Sequence, residues 1–592
     1  MSNRRRFALV VGIVIGIALM TFPVYLYFSD SIHGKIRDAI EQYLRSRVKA
    51  IALAESDGAL NIELGAISYT YYTGLLEVKD IKVKLLTGSD SVGSTIEVAI
   101  PRVTVSGVLP WDILTGAGLS IGSINVFQPS CAIRSWGITA PSTMDTAQQS
   151  DVQLPKLPNV DSILHIAFVG LVPSYAQPLN ISGVKIIGGS FTNSHRSPAE
   201  SYEGNMNGIA IDVGKITVDA AKSKVRPIAS MTVFLQQWKR QYSNKRSIFV
   251  DGLHIAVSDA DSSLTVDSVQ YHLPAAYTYS ASAVVFSYRT RVLRLSGFTL
   301  EPSMDDEQYW QLQKYDSDRF RIHGTQLHFE DIDFSALNAG KALRVKKISL
   351  ASLELDILSN KRLRADPKSG LPTMPNHIVR SLPFVLDVDS IVISNASLRY
   401  GERWAHSAAP ALLTWKGISA IATDLRSGAN KIKRPFTVSA SGTFMGGPTM
   451  KATFSFPLTD PVYKMAAEGS LTRFDITALN SFLPIADNAR IESGIASSAS
   501  FSFTITGRRC RGVVRPHYSN LSLLLVGDTD KKSGGFLKGI VSALVNWLVI
   551  KNDNEGEDYR DGPIRYTLPR DAAFMQTIWF PVRSGLKVAS GL

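Results

Sequence analysis

From about residue 58 onward, apolar and polar residues alternate with period two, and β-branched residues cluster in short runs broken by Gly, Asn, Asp and Ser, as in GALNIELGAISYTYY and GLLEVKDIKVKLL. Such alternation predicts half-buried strands, so the body is expected to be mostly β. A finer pattern recurs within it: apolar, polar, apolar, two small or polar residues, apolar, polar, apolar. Strict copies run Leu76–Val83, Leu119–Val126, Leu179–Ile186, Ile211–Val218, Leu264–Tyr271, Leu293–Leu300, Leu327–Phe334 and Leu343–Leu350, with looser copies from Ile248 and Leu386. Chance supplies roughly two strict copies in such a chain, so eight mark an enriched pattern. A double polar step would throw the second apolar pair onto the opposite face of a regular strand. One extra residue in a β-bulge restores the face and strengthens the twist. Leu386, Val388, Ile391 and Ile393 are therefore predicted to share one face.

The ends of the chain follow other rules. After Arg4–Arg6, residues Phe7 to Ser29 carry no charge, long enough to cross a hydrocarbon core of roughly 30 Å as a helix. Phe7, Leu9, Val10, Ile13, Ile17, Leu19, Phe22 and Tyr25 are the candidate anchor residues. A signal peptide competes with an uncleaved anchor, but TFPVYLYFSD is bulky where a cleavage site needs small residues. The arginine flank places the N-terminus in the cytoplasm and the body outside it, giving a single-pass topology. Ile32, Ile36, Ile40, Tyr43, Leu44, Val48 and Ile51 recur at helical spacing, predicting an amphipathic helix that packs on the body or lies along the membrane. Near the other end, Phe536, Leu537, Ile540, Val541, Leu544, Trp547 and Leu548 share one helical face, and AFMQTIWFPVRSGLK, with Trp579, follows a charged loop. Both tail segments are expected either to close the β body or to touch a membrane or partner.

Length and composition narrow the classes. At roughly 150 residues per domain, 592 residues suggest about four units or one long repetitive one. With 45% apolar and 19% charged residues the bulk is folded. The strand texture runs past residue 525 without a composition break, favouring one extended sheet. Pro-rich joints stand at Arg364–Pro383 and Thr139–Val160, and each is equally readable as a long loop. The expected division is 1–30 basic flank and anchor, 31–57 amphipathic helix, 58–375 N-terminal β region, 376–530 C-terminal β region and 531–592 helical tail. The net charge of +12 is spread over short clusters, which argues against nucleic acid. Cys131 and Cys510 allow one bridge but read better as two inert thiols.

A search for chemistry ends without a catalytic constellation. Gly118-Leu-Ser120-Ile-Gly122 matches G-x-S-x-G, but a strand follows it, whereas a nucleophile elbow needs a helix. His323 and His328 lack helical spacing, and no HExxH, Walker loop or GxGxxG opening a helix occurs. The acidic runs Met304–Gln308 and Glu330–Asp333 lack the spacing of a calcium loop and read as solvated turns. The sequence thus predicts a non-enzyme with no cofactor and no metal. Sequons at Asn180, Asn395 and Asn520 would suit a eukaryotic secretory compartment, but such triplets arise by chance.

At SLPFVLDVDSIVISNASLRYGE (Ser381–Glu402), at LNSFLPIADNARIESGIASSASFSFTITGRRCRGVVRPHYSNLSLLL (Leu479–Leu525), and in the tail at GGFLKGIVSALVNWLVIKNDN and FMQTIWFPVRSGLK, the sequence resembles the AsmA-like family of diderm bacteria. One departure is Tyr518-Ser519-Asn520-Leu521, where the family tends to carry Asp after the Tyr. The resemblance implies a repeating β-groove protein: an elongated, twisted, antiparallel, U-shaped half-pipe with an apolar inner face, for which Leu386, Val388, Ile391 and Ile393 are the candidate lipid-groove residues. Roughly 30 strands at about 4.8 Å would reach on the order of 100 Å. The implied function is an inner-membrane-anchored periplasmic carrier or conduit moving phospholipid to the outer membrane, with a periplasmic or outer-membrane protein as a further partner. A non-transporting envelope scaffold is the competing expectation.

Overall fold

The computed structural model describes residues 60–70, 74–88, 92–107, 119–137, 179–198, 200–219, 224–225, 230–258, 262–315, 318–363, 374–427, 434–525, 551–570, 572 and 574–591. They are mostly strand, and the strand pairs are predominantly antiparallel. The anchor residues Phe7 to Tyr25, the helix expected over 32–51 and the tail residues Phe536, Leu537, Ile540, Leu544, Trp547 and Leu548 lie outside the described residues. No helix among the described residues is long and apolar enough to cross a membrane. The chain divides into unit 1 (1–148, 157–274, 282–289) and unit 2 (149–156, 275–281, 290–592). The boundary expected at 375/376 thus falls inside unit 2.

In unit 1, β1 (Leu60–Glu63) and β2 (Ile67–Thr70) pair with β3 (Leu75–Gly88), which pairs with β4 (Gly93–Ser106). β4 carries both β5 (Leu119–Phe127) and β6 (Ser130–Trp136), and these run parallel to β7 (Leu179–Arg196). Parallel neighbours need a crossover, and the Pro-rich joint at Thr139–Val160 stands in that connection. β8 (Ser201–Val213) and β9 (Ile216–Asp219) both lie antiparallel against β7, β10 (Lys224–Val225) pairs with β9, and an antiparallel series runs from β8 through β11 (Ser230–Tyr242), β12 (Ser247–Ser258) and β13 (Ser262–His272). β14 (Tyr277–Ser287) spans the junction of the two units in sequence.

Unit 2 holds β15 (Val292–Pro302), α1 (Asp306–Gln311), β16 (Asp318–Ile332), α2 (Phe334–Asn338) and β17 (Ala342–Asn360). β17 runs parallel to β18 (Val385–Arg403), and the connection between them holds α3 (Pro375–Arg380) and the second Pro-rich joint; this pair and the two parallel pairs of β7 correct the expectation of an antiparallel groove throughout. The sheet continues through β19 (Ala411–Arg426), β20 (Phe436–Phe444), β21 (Thr449–Phe456) and β22 (Lys464–Leu471). β23 (Phe474–Asp475) and α4 (Leu483–Ala486) precede β24 (Ala489–Thr506), which pairs with β22 and β25 (Arg509–Leu525). β26 (Gly562–Thr567) lies beside β25, and α5 (Phe574–Ser590) packs on both. Ile578, Val582 and Leu586 of α5 cover Phe456, Met465, Phe503, Ile505 and Ile564, so this end has a closed core. Gly562 and Gly585 set the approach: a Cβ on Gly562 would stand 2.1 Å from the Gly585 carbonyl oxygen.

The double polar steps are aligned from strand to strand. In unit 1, Asp80 of β3 has a left-handed backbone (φ 52°) and lies opposite Pro101; the line continues through Gln128 (φ 49°), Gly188 (φ 69°), Gly208 (φ 64°) and Gly252 (φ 62°). Alternation restarts in the opposite parity after Asp80, so Leu76, Val78, Ile81 and Val83 are all buried. The steps of the copies at Leu119, Leu179 and Ile211 lie side by side on a second line. In unit 2 one line joins Gln326, Ser352, Asn395 and Gly417, and another joins Asp331, Lys346, Asp389 and Asp424. The expectation of a bulge opposite a regular partner therefore needs correction at most copies. Neighbouring strands kink together, and β3 and β4 keep a single register from Leu76↔Val105 to Gly88↔Gly93. Register slips do occur between β7 and β8, β16 and β17, and β18 and β19.

Candidate functional site

Each unit leaves part of its apolar face half-exposed. In unit 1, Thr232, Phe234 and Gln236 of β11 point to solvent before the kink, and Lys239 and Gln241 after it. The shielded set is therefore Met231, Val233 and Leu235, then Trp238, Arg240 and Tyr242. Across the strands these form rows: Ile211–Val233–Ile255, Ile209–Leu235–Leu253 and Met206–Trp238–Val250. All are partly exposed except Leu235 and Val250. The opposite face carries charge, as in the Lys185–Asp212 pair at 2.9 Å.

In unit 2, Leu300, Ile322, Leu355, Leu398 and Trp415 form one partly exposed row across β15–β19. Ile348–Ile391–Ala422 and Leu350–Ile393–Ala420 form two more, partly exposed except at the buried Ala422 and Ala420. The four candidate groove residues divide here. Leu386, Ile391 and Ile393 are partly exposed, whereas Val388 is 1% exposed in the row Ile332–Val345–Val388–Leu425. α2 packs on β17 beside that row, and its Phe334 is 4% exposed. Asp333 caps α2 by accepting from the Ala336 N–H, which, with Ser335 and Arg344, holds its carboxyl below the usual range. The tail residue Trp579 is 39% exposed on α5.

One basic group stands on the shielded face of unit 1, and reading the sequence by period alone missed it. The Arg240 guanidinium lies 4.9 Å from the Tyr202 ring centroid and 5.6 Å from that of Trp238. With the Asn193 amide in the orientation that satisfies both its ends, its oxygen accepts from Arg240 Nη2 at 3.1 Å. His195 stacks on Tyr202 and bonds Ser135 Oγ through Nδ1 at 2.9 Å. The signal available in the sequence was phase: Arg240 stands two residues from both Trp238 and Tyr242 after the Gln236-Gln237 step.

The other candidates resolve into structure. Ser120 lies inside a strand beside β7, so no elbow forms there. The acidic runs are occupied: Asp305 caps α1, Asp306 faces Arg321 at 2.8 Å, Glu307 faces Arg403, Asp331 faces Arg291, and Glu330 faces Lys347. This replaces the expectation of solvated turns. Arg319, wholly buried under α1, lies 3.1 Å from Asp306 and 3.2 Å from Asp356, although its Nε–H is misaligned for a hydrogen bond. Cys131 and Cys510 are free thiols, each pushed up to about 11 by burial. Among the described residues no group of three or more His, Cys, Asp or Glu is placed to hold a metal.

No protein-family model matches the chain, and no curated protein is significantly similar to it.

Proposed function

We propose that the protein is an inner-membrane-anchored periplasmic factor that carries or conducts phospholipid between the inner and outer membranes along its apolar sheet face. In this reading residues 7–29 hold it at the inner membrane, the strands form a twisted, U-shaped groove, and catalysis, cofactor and metal have no part. The observation that carries the reading is the set of partly exposed apolar rows, with a charged face behind them. Covering such rows with acyl chains stabilises by about 25 cal/mol per Å² removed from water. The AsmA-like resemblance of residues 381–402 and 479–525 supports the same assignment, and a periplasmic or outer-membrane protein would receive the lipid.

The closed core beneath α5 favours a second reading, a non-transporting envelope scaffold acting through protein contacts. Mass spectrometry of lipid co-purifying with residues 31–592 separates the two. Acyl lipid in fixed stoichiometry is the expected result. A folded, lipid-free protein that fails to transfer phospholipid between vesicles would favour the scaffold.

A further inference from the structure

From the cluster around Arg240 we infer a headgroup site for an anionic amphiphile, one bearing a phosphate or carboxylate on an acyl chain. The inference rests on the lipid-carrying reading above and adds to it the charge of the cargo. A cation on an otherwise apolar sheet face calls for a counter-charge. Elsewhere in this chain such pairing is direct: Arg134 faces Glu97, Arg246 faces Glu200 and Arg426 faces Asp387 and Asp389. Arg240 has no carboxylate within ion-pair distance among the described residues. Its cross-strand neighbours are Gly204 and Ile248, and those of Trp238 are Met206 and Val250.

Its five N–H donors meet one side-chain acceptor, Asn193. Arg240 Nε and Trp238 Nε1 are buried without a hydrogen-bond partner. Unsatisfied buried donors are scarce in folded proteins and costly, so two adjacent ones require an explanation. Arg240 as a whole is only partly buried. The Tyr202 and Trp238 rings flank it, and a planar guanidinium suits a phosphate or carboxylate. Asn193 bonds it, and His195 and Tyr242 each pack on the Tyr202 ring beside it, while Met206, Trp238 and Val250 begin the apolar rows. An amphiphile bound there would place its charge on Arg240 and its chain along those rows.

The test uses the full chain in a fluorinated surfactant and three probes: dodecyl phosphate, monolauroylglycerol and inorganic phosphate. Wild type should bind dodecyl phosphate at least about ten-fold more tightly than monolauroylglycerol, the span of a charge-assisted hydrogen bond, and should not bind inorganic phosphate at millimolar concentration. Arg240→Gln should erase the preference through loss of dodecyl phosphate affinity. Ile248→Glu provides a second variant that retains the guanidinium, because a carboxylate directly across the strand would occupy it; it too should erase the preference. Equal affinity for the charged and neutral probes would overturn the inference and leave the lipid-carrying reading standing. So would a preference that survives both variants. Inorganic phosphate binding as tightly as dodecyl phosphate would make this a free-anion site, also overturning the inference. Failure of wild type to bind either amphiphile would overturn the lipid-carrying reading itself.

Discussion

Val388 and Ile391 belong to one sequence pattern, yet a carboxylate at the two positions should have opposite consequences. Val388 is 1% exposed, between Val345 at 3% and Leu425, so Val388→Asp must hold its side chain out of water. Losing the buried valine costs about 1.5–2 kcal/mol. Keeping the new carboxyl neutral at pH 7 costs about 4 kcal/mol, at 1.36 kcal/mol for each unit between pH 7 and its unfolded value near 3.9. A total of about 6 kcal/mol is an upper bound, since the site can relax, but even 4 kcal/mol consumes much of an ordinary domain's 5–15 kcal/mol. Ile391 is partly exposed, so Ile391→Asp hydrates its charge and should cost on the order of 1 kcal/mol.

The sign with pH distinguishes burial from other damage. The buried carboxyl introduced by Val388→Asp has a folded pKa raised above its unfolded one, so the unfolded state releases the proton first. Stability is retained below about pH 4 and falls as pH rises, by about 1.4 kcal/mol per unit until the folded pKa is reached. Urea titrations of both variants at pH 5 and pH 7, beside bound-lipid content, check this. Val388→Asp should lose about 2–3 kcal/mol more at pH 7 than at pH 5. Ile391→Asp should show little pH dependence while its lipid content falls. Equal stability of the two variants, with no pH dependence for Val388→Asp, would refute the division of this strand into a closed and an open row.

Other expectations are briefer. Asp333→Ala removes the α2 cap and should cost about 1 kcal/mol in urea titrations. Because the folded Asp333 pKa is lowered, wild type should lose stability as pH falls from the unfolded value near 3.9 through the folded one, and Asp333→Ala should not show that loss. Asn395 is exposed with φ 52°, so Asn395→Val should destabilise by about 1–2 kcal/mol and Asn395→Gly by nothing measurable; a harmless valine would contradict the left-handed assignment. A reporter fused after Leu592 should be active only outside the cytoplasm, and cytoplasmic activity would reverse the topology assigned from Arg4–Arg6.

The strands were legible because alternation is local: Leu76, Val78, Ile81 and Val83 announce both a strand and its change of phase within eight residues. Which strands become neighbours was not, since register and the parallel pairing of β17 with β18 are long-range facts that no window contains. The short helices were partly readable. Asp305 and Gln308 stand at capping-box spacing, but the acidic run around them suggested a solvated turn. Arg240 was hidden for a different reason: in a period-two reading a basic residue counts as polar, and its shielded position emerges only when the parity change at Gln236-Gln237 is respected. Val388 and Ile391 looked equivalent because the sequence carries no sign of α2 packing beside one row and not the other.

The aligned kinks also explain what kinds of residue occupy them. A left-handed non-glycine residue costs about 1–2 kcal/mol, and Asp80, Gln326, Asp331, Ser352, Asn395 and Asp424 all adopt this conformation within or between strands. All six are polar, and all but Asp424 are exposed. A kink in one strand alone would leave its partner's next apolar residue on the wrong face, breaking the row. Kinks shared between neighbours preserve both the ladder and the row, so the strain at each position is held by hydrogen bonds on either side. Each kink turns one residue out of alternation toward water, which is where Asp, Asn, Gln and Ser are tolerated. The double polar step in the sequence is therefore the local trace of a constraint imposed by the neighbouring strands. Relieving it in one strand, by deleting Asp389 alone for example, should shift Ile391 and Ile393 to the charged face and destroy the row with Ile348 and Leu350. Deleting Lys346 together with Asp389 should disturb the β17–β18 pairing less than either deletion alone, since the two lie side by side on the same line. Non-additive recovery in the double deletion, measured by urea titration, is the expected result; additive losses would mean that the kinks are independent local bulges.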